Sequence, residues 1–198
     1  LGRKGQTTND TLSAVYVPKG YDVVLDAARI LLERNVRFKW ILVGRGVDLL
    51  KPTAVKMGVV DNLIFLREIG SRNSRQDENS FEVPSWELIR LYRSSNVFVL
   101  ASLLETFGMV LIEAMAAGIP VVTTDAPGCR DVVSHEFNGL LATSGDPRSL
   151  ADNIEKLITN NKLRRQLCST ALMDVIKYDY SHIANQYLDL YQNLCHTH

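Results

Sequence analysis

Short apolar runs recur along the chain at intervals that a helix can fill, and this alternation constrains the fold more than any other feature. "FKWILVG" (38–44), "NLIFLRE" (62–68), "NVFVLAS" (96–102), "PVVTTD" (120–125) and "GLLAT" (139–143) each read as strands. The runs are near-continuous in apolar residues, as strands are when both faces of a parallel sheet are covered. Helical periodicity fills the intervals. "DVVLDAARILLERN" (22–35) puts Val23, Val24, Ala27, Ala28, Leu31 and Leu32 on one face. "VDLLKPTAVKMG" (47–58) is a weaker helix, and Pro52 suggests that it starts there. "SWELIRLYRSS" (85–95) has Ser85 as N-cap and Leu88, Ile89, Leu91 and Tyr92 as apolar positions. "DPRSLADNIEKLITN" (146–160) has Asp146 as N-cap and Pro147 at the first helical position. One or two further helices fill 162–194. The pattern predicts an α/β fold: an open, doubly wound, mostly parallel sheet with a helical C-terminal end. Two segments break the rhythm: 1–10 is polar and glycine-bearing with no periodicity, and 70–84, polar and charged, reads as an exposed loop or partly disordered insertion.

Bulk composition narrows the classes of partner. The chain has 198 residues, 46% of them apolar, which suits one domain with a real core. Its 22 basic and 22 acidic side chains cancel, so net charge offers no argument for nucleic acid or an anionic surface. Cys129, Cys168 and Cys195 form no C-x-x-C pair, which argues against a disulfide scaffold or zinc site and for a reducing, cytoplasmic compartment. No run approaches the roughly 18 apolar residues that a membrane span requires, and no secretory signal is read. The first residue is Leu1 rather than Met, the expectation for a piece of a longer protein.

The run Gly108–Ala117 is apolar almost all round yet carries one charge, Glu113; a second carboxylate, Glu105, lies eight residues earlier. In an open parallel sheet, ligands bind at the carboxyl ends of strands, where loops enter helices. "LLETFGM" (103–109) is such an entry, following the strand "NVFVLAS". Unpaired N–H groups at the start of that helix favour an anion such as phosphate, and Gly108 lets a ligand approach the backbone. With the helix starting near Thr106 or Phe107, the two carboxylates are spaced by about 12 Å of helix. One extended ligand could then touch both, with a hydroxylated ring against Glu113. On spacing alone, simple surface roles remain open for both: a favourable charge near a helix start for Glu105, and an edge ion pair for Glu113.

The wording around these residues goes further. "ETFGMVLIEAMAAGIPVV" resembles the E-x7-E signature of retaining glycosyltransferases built from two Rossmann-like domains, the GT-B architecture. "KG" (19–20), "ILVGRG" (41–46), "NLIFL" (62–66), "LYRSSNVFVLAS" (91–102), "TTDAPGCRDVV" (123–133), "NGLLA" (138–142) and "DPRSLADNI" (146–154) follow the same family's order. Over residues 12–194 the chain resembles glycosyltransferase family 4, also called glycosyl transferases group 1. The resemblance implies a single nucleotide-sugar-binding domain, residues 1–198, equivalent to the C-terminal half of such an enzyme. The N-terminal acceptor domain, or a partner subunit carrying it, would be separate. It further implies a cytoplasmic enzyme of polysaccharide or glycoconjugate synthesis, with peripheral attachment at the inner face of a membrane as an option for the full-length form.

By resemblance, Glu105 contacts the donor sugar at the reacting face and is the catalytic candidate. Thr106, Phe107, Gly108 and Met109 match the loop that holds sugar hydroxyls and phosphate. Glu113 matches the ribose-binding glutamate, and Lys19 the lysine that neutralises the diphosphate. The family usually has an arginine five residues before that lysine, where this chain has Ala14. Either Arg3 is the clamp arginine and 4–17 is an insertion, the alignment preferred here, or "TLSAVYV" (11–17) is the first strand and the clamp is weakened. Base contacts would come from the loops after the second and third strands, Gly44, Arg45 and Gly46, then Leu66, Arg67 and Glu68. There is no D-x-D motif, so neither a metal nor another cofactor is expected beyond the nucleotide-diphosphate sugar, UDP-type donors included.

Other residues read as structural. His135 is a loop histidine, Cys129 a small buried side chain in the "APGCRD" loop, and Trp40 and Trp86 packing residues. His182, His196 and His198 have no carboxylate at triad-like spacing. The last helix, "SHIANQYLDLYQNL" (181–194), carries Ile183, Tyr187, Leu188, Leu190, Tyr191 and Leu194, an apolar stripe that suits contact with another domain. Two competing readings stay open. One is a GT-B enzyme of other chemistry, such as a UDP-sugar epimerase or a phosphorylase; the former lacks acid/base residues in a matching context and the latter a cofactor lysine. The other is a nucleotide- or partner-binding module without catalysis.

Overall fold

The chain folds, in a computed structural model that describes residues 19–67, 69 and 85–195, as layers of helix around parallel strands. The first described helix, α1 (Tyr21–Glu33), follows Gly20, which sits in the left-handed region at φ 63°. A Cβ on Gly20 would lie 2.0 Å from the carbonyl oxygen of Ala101, so only glycine admits this close approach. The expected apolar face of α1 is buried: Val23, Val24, Ala27, Ala28 and Leu31 lie in the core, while Leu32 stays on the rim.

Strands β1 (Trp40–Val43) and β2 (Leu63–Leu66) pair in parallel, with Trp40 opposite Leu63. Between them, a 3-10 turn (Val47–Leu50) leads into α2 (Lys51–Lys56), with Pro52 in its first turn. Helix α3 (Trp86–Ser94) begins where Ser85 accepts a hydrogen bond from the backbone N–H of Leu88 at 3.3 Å. Strand β3 (Phe98–Leu100) is followed by α4 (Met109–Ala116), β4 (Val121–Thr124), β5 (Leu140–Ala142) and α5 (Pro147–Thr159). Strands β3, β4 and β5 form a second parallel sheet in that order. Asp146 caps α5 as expected, accepting from the N–H groups of Arg148 (2.8 Å) and Ser149 (3.2 Å).

The strands therefore fall into two parallel sheets among the described residues. They flank a cavity of about 900 Å³ lined by Trp40–Val43 on one side and Val97–Ala101 on the other. The candidate first strand, 11–17, and the loop 70–84 lie outside the described residues, as do segment 1–10 and Glu68. One buried cluster joins α1, β1 and α5; the second surrounds α4 with Val121, Val132 and Val133. Arg34, just after α1, binds Asp152 (2.7 Å) and Glu155 (2.8 Å) on α5, pinning the two helices together.

The C-terminal end is helical: α6 (Asn161–Asp174), a 3-10 turn (Val175–Tyr178) and α7 (Tyr180–Cys195). Asn160 caps α6 by accepting from the N–H of Leu163 at 3.0 Å, at the boundary the sequence reading puts between 160 and 162. Along α7 the six apolar residues of the stripe are all exposed. Among the described residues no helix is long and apolar enough to cross a membrane.

Candidate functional site

Parallel strands deliver their loops to one edge, and the two carboxylates lie at that edge on either side of the start of α4. The helix begins at Met109, later than the sequence suggests, because Gly108 takes a left-handed conformation at φ 66° that breaks the helical path. Glu105 to Phe107 are therefore loop, and Glu113 is only four residues, about 6 Å, along the helix axis from Met109. Among the described residues no side chain caps α4, so its leading N–H groups carry the positive end of the helix dipole at the loop that bears Glu105.

Glu105 sits in a polar, hydrogen-bonded corner. The Lys19 ammonium is 2.6 Å from Oε1, and the buried Ser102 hydroxyl donates to the same oxygen at 2.8 Å. The Glu105 side chain is 14% exposed against 50% for Lys19, so the carboxylate is enclosed while the lysine reaches water. The backbone is equally fixed. Glu105 N–H donates to the Pro127 carbonyl at 3.1 Å, and a Cβ on Gly128 would lie 2.2 Å from the Glu105 carbonyl oxygen. Asp131 in turn accepts from the Gly128 N–H at 3.1 Å. The "APGCRD" loop is thus the wall that holds the Glu105 loop in place. Cys129 within it is fully buried; burial raises its thiol pKa, against the pull of Thr123 and Thr124, so it is a packing residue rather than a nucleophile. Thr124 donates its hydroxyl to the Ser102 carbonyl, tying β4 to the residue beneath Glu105.

Glu113 sits in a different environment. It is partly buried, and Tyr92 on α3 donates its hydroxyl to Oε2 at 3.0 Å. Burial lifts the Glu113 carboxyl above its usual range, and the Tyr92 hydrogen bond draws it partly back. The Tyr92 phenol is itself driven upward, by burial first and then by the charge of Glu113.

The structure thus brings Lys19 and Glu105 into contact and places Gly108 and Met109 at the helix start between the carboxylates. Thr106, Phe107 and Met109 are exposed, and the Phe107 ring meets Tyr178 edge-on at 5.7 Å. Arg45 is exposed in the turn after β1. Arg67 follows β2 and lies 3.5 Å from Asp48, so the loops after β1 and β2 meet there. Arg3 is outside the described residues. His135 is structural as expected, its Nδ1 accepting from the N–H of Leu141 at 2.9 Å. Trp86 is not a packing residue: it is 67% exposed. Its helix turns Leu88 and Tyr92 inward at i, i+4 spacing, which leaves Trp86 on the opposite side. No cluster of potential metal ligands occurs among the described residues.

Comparison with known proteins now decides the family. The model for the glycosyl transferases group 1 matches residues 12–172. The chain belongs to this family. A phosphatidyl-myo-inositol mannosyltransferase of Mycobacterium leprae is 31% identical over 176 residues, covering 89% of this chain and 43% of that protein. An uncharacterized glycosyltransferase of Methanocaldococcus jannaschii is 29% identical over 177 residues, covering 88% of this chain and 42% of the relative. The chain therefore spans less than half the length of these relatives. In fold it is similar to the HepE protein of Anabaena crystallised with UDP, with a TM-score of 0.73 at 24% identity over 89% of this chain and 46% of that one. It also resembles the C-terminal domain of a group 1 protein, LpcC, from Francisella tularensis, at TM-score 0.64 and 26% identity, covering 82% of this chain and 80% of that domain. The chain is thus an α/β member of the glycosyl transferases group 1, with the fold of a C-terminal domain from that family.

Proposed function

We propose that this chain is the donor-binding half of a retaining glycosyltransferase that takes a nucleotide-diphosphate sugar. Lys19 beside Glu105, at the uncapped start of α4, is the observation that supports this reading most. A departing nucleoside diphosphate gains negative charge as the glycosidic bond breaks. The helix N-terminus and the Lys19 ammonium supply positive potential where that charge develops. Glu105, held by Ser102 and by the Pro127–Gly128 wall, faces the sugar. Glu113 accepts the ribose hydroxyls from inside the helix. Arg45 and Arg67 stand on the loops that would meet the base. UDP in the HepE structure makes a uridine nucleotide the first donor to test.

The acceptor site belongs to a second, N-terminal domain or subunit. The sub-half coverage of the relatives and the likeness to an isolated C-terminal domain support that division. The exposed stripe of α7 suits a contact with that half, and the acceptor would be a polysaccharide or lipid-linked glycan made at the inner face of a membrane. The test is transfer from radiolabelled UDP-, GDP- and ADP-sugars to a membrane extract by the full-length enzyme carrying this chain, with the new linkage read by NMR. An α-configured donor giving an α-linked product is expected. A β-linked product would overturn retention, and no donor consumption would overturn the transferase reading.

A further inference from the structure

Tyr92 lies outside the segment that carries the two glutamates, yet its hydroxyl ends on one of them. The residue is only 6% exposed, and its ring packs edge-on against Phe98 with centroids 5.5 Å apart. A phenylalanine would satisfy that packing. The phenol instead brings a polar group into an apolar cluster around α4, where a hydroxyl needs a partner. Its partner is Glu113 Oε2 at 3.0 Å, so a second polar group is kept in the same cluster. Burying both costs more than an apolar pair of similar volume would. What the pair provides is geometry. A glutamate has three rotatable bonds, and a hydrogen bond from a buried ring of α3 held against Phe98 restricts that freedom. One oxygen is held by Tyr92, and among the described residues no hydrogen bond to Oε1 is seen.

We propose that Tyr92 is a positioning residue for ribose recognition, fixing the Glu113 carboxylate so that it accepts the vicinal hydroxyls of a ribonucleotide. The inference rests on the donor-binding reading given above. Tyr92 touches neither sugar nor phosphate; it acts through Glu113. Its removal therefore reduces the preference for ribose over deoxyribose and leaves the rest of the nucleotide's binding energy in place.

The test titrates UDP against 2′-deoxy-UDP, and the GDP and ADP pairs likewise, on the wild-type chain, Glu113→Ala and Tyr92→Phe. The wild type prefers the ribonucleotide. In Glu113→Ala the preference collapses toward one. In Tyr92→Phe it falls by about three- to tenfold, and the deoxynucleotide, which keeps one of the two hydroxyls, loses less affinity than the ribonucleotide. Tyr92→Met, also without a donor, gives the same loss and replaces the phenylalanine variant if that one does not fold. A preference that collapses in Glu113→Ala but survives in both Tyr92 variants overturns the positioning role and leaves the ribose reading standing. A wild type without any preference, or one that Glu113→Ala leaves intact, removes the ribose reading and this inference with it.

Discussion

Glu105 and Glu113 stand eight residues apart on one continuous segment, yet the fold treats them in opposite ways. Glu105 is on loop backbone, gripped by Lys19 and Ser102 and braced by a glycine-bearing wall. Glu113 is on a regular helix turn, set among apolar side chains, with a neutral phenol as partner. The first carboxylate has a cation as its partner; the second is opposed in its charged form by desolvation. On the proposed reading, the two environments suit two tasks. A braced, cation-paired carboxylate suits a charge that changes during reaction. A recessed, neutral-partnered carboxylate suits two hydroxyls that merely bind.

The comparison breaks most readily at the reacting end. Glu105→Ala in the full-length enzyme lowers kcat by about 100-fold, roughly 3 kcal/mol of transition-state stabilisation, with little change in nucleotide affinity. Steady-state kinetics beside equilibrium titration separate the two effects. Equal losses in both would contradict the separate roles proposed for the two carboxylates.

Next in size is Lys19→Met. Half-exposed and screened by solvent, Lys19 contributes modestly, so diphosphate affinity falls by about three- to tenfold while nucleoside monophosphate affinity barely moves. Titrations at two salt concentrations check this, because the loss shrinks as salt rises. An equal loss for mono- and diphosphate would detach Lys19 from the diphosphate.

The interior end has a pH signature. On the ribose reading only the ionised Glu113 would accept both hydroxyls, and burial lifts its carboxyl above the ordinary 4.5. Nucleotide affinity therefore weakens as pH falls through that raised value, beginning above 4.5, and Glu113→Gln flattens this limb of the profile. The smallest effect concerns stability. With the folded pKa raised, the favourable contribution of the protonated group is complete below the unfolded value and lost as pH rises through the folded one. Ionised Glu113 thus destabilises the fold at neutral pH. Glu113→Gln raises Tm by about 1–2 °C at pH 7, and the difference closes toward pH 4. A Tm gap that widens on acidification would reverse the sign argued here.

Local signals were legible in the sequence, and contacts between elements were not. The Ser85 and Asp146 caps act within three residues and appear where the pattern puts them. The apolar strand runs form the parallel pairs expected of them. The family's word order points to Glu105, Lys19 and Glu113 together, and the fold does join Lys19 to Glu105 across 86 residues. The start of α4 reads too early, because an apolar run continues through Gly108 while the backbone breaks there. Tyr92 reads only as an apolar helix position; that its hydroxyl finds Glu113, 21 residues away, depends on how α3 packs against α4. Ser102 and the Gly128 wall escape for the same reason. Trp86 escapes because size suggests burial while helix phase decides it.

The most direct measurement is calorimetric titration of the chain with UDP, GDP and ADP, repeated on Glu113→Ala. The account predicts that at least one nucleoside diphosphate binds and that the substitution weakens it by about 1–3 kcal/mol. Failure of all three to bind, or binding that Glu113→Ala leaves unchanged, would contradict the assignment of this helix as the donor site.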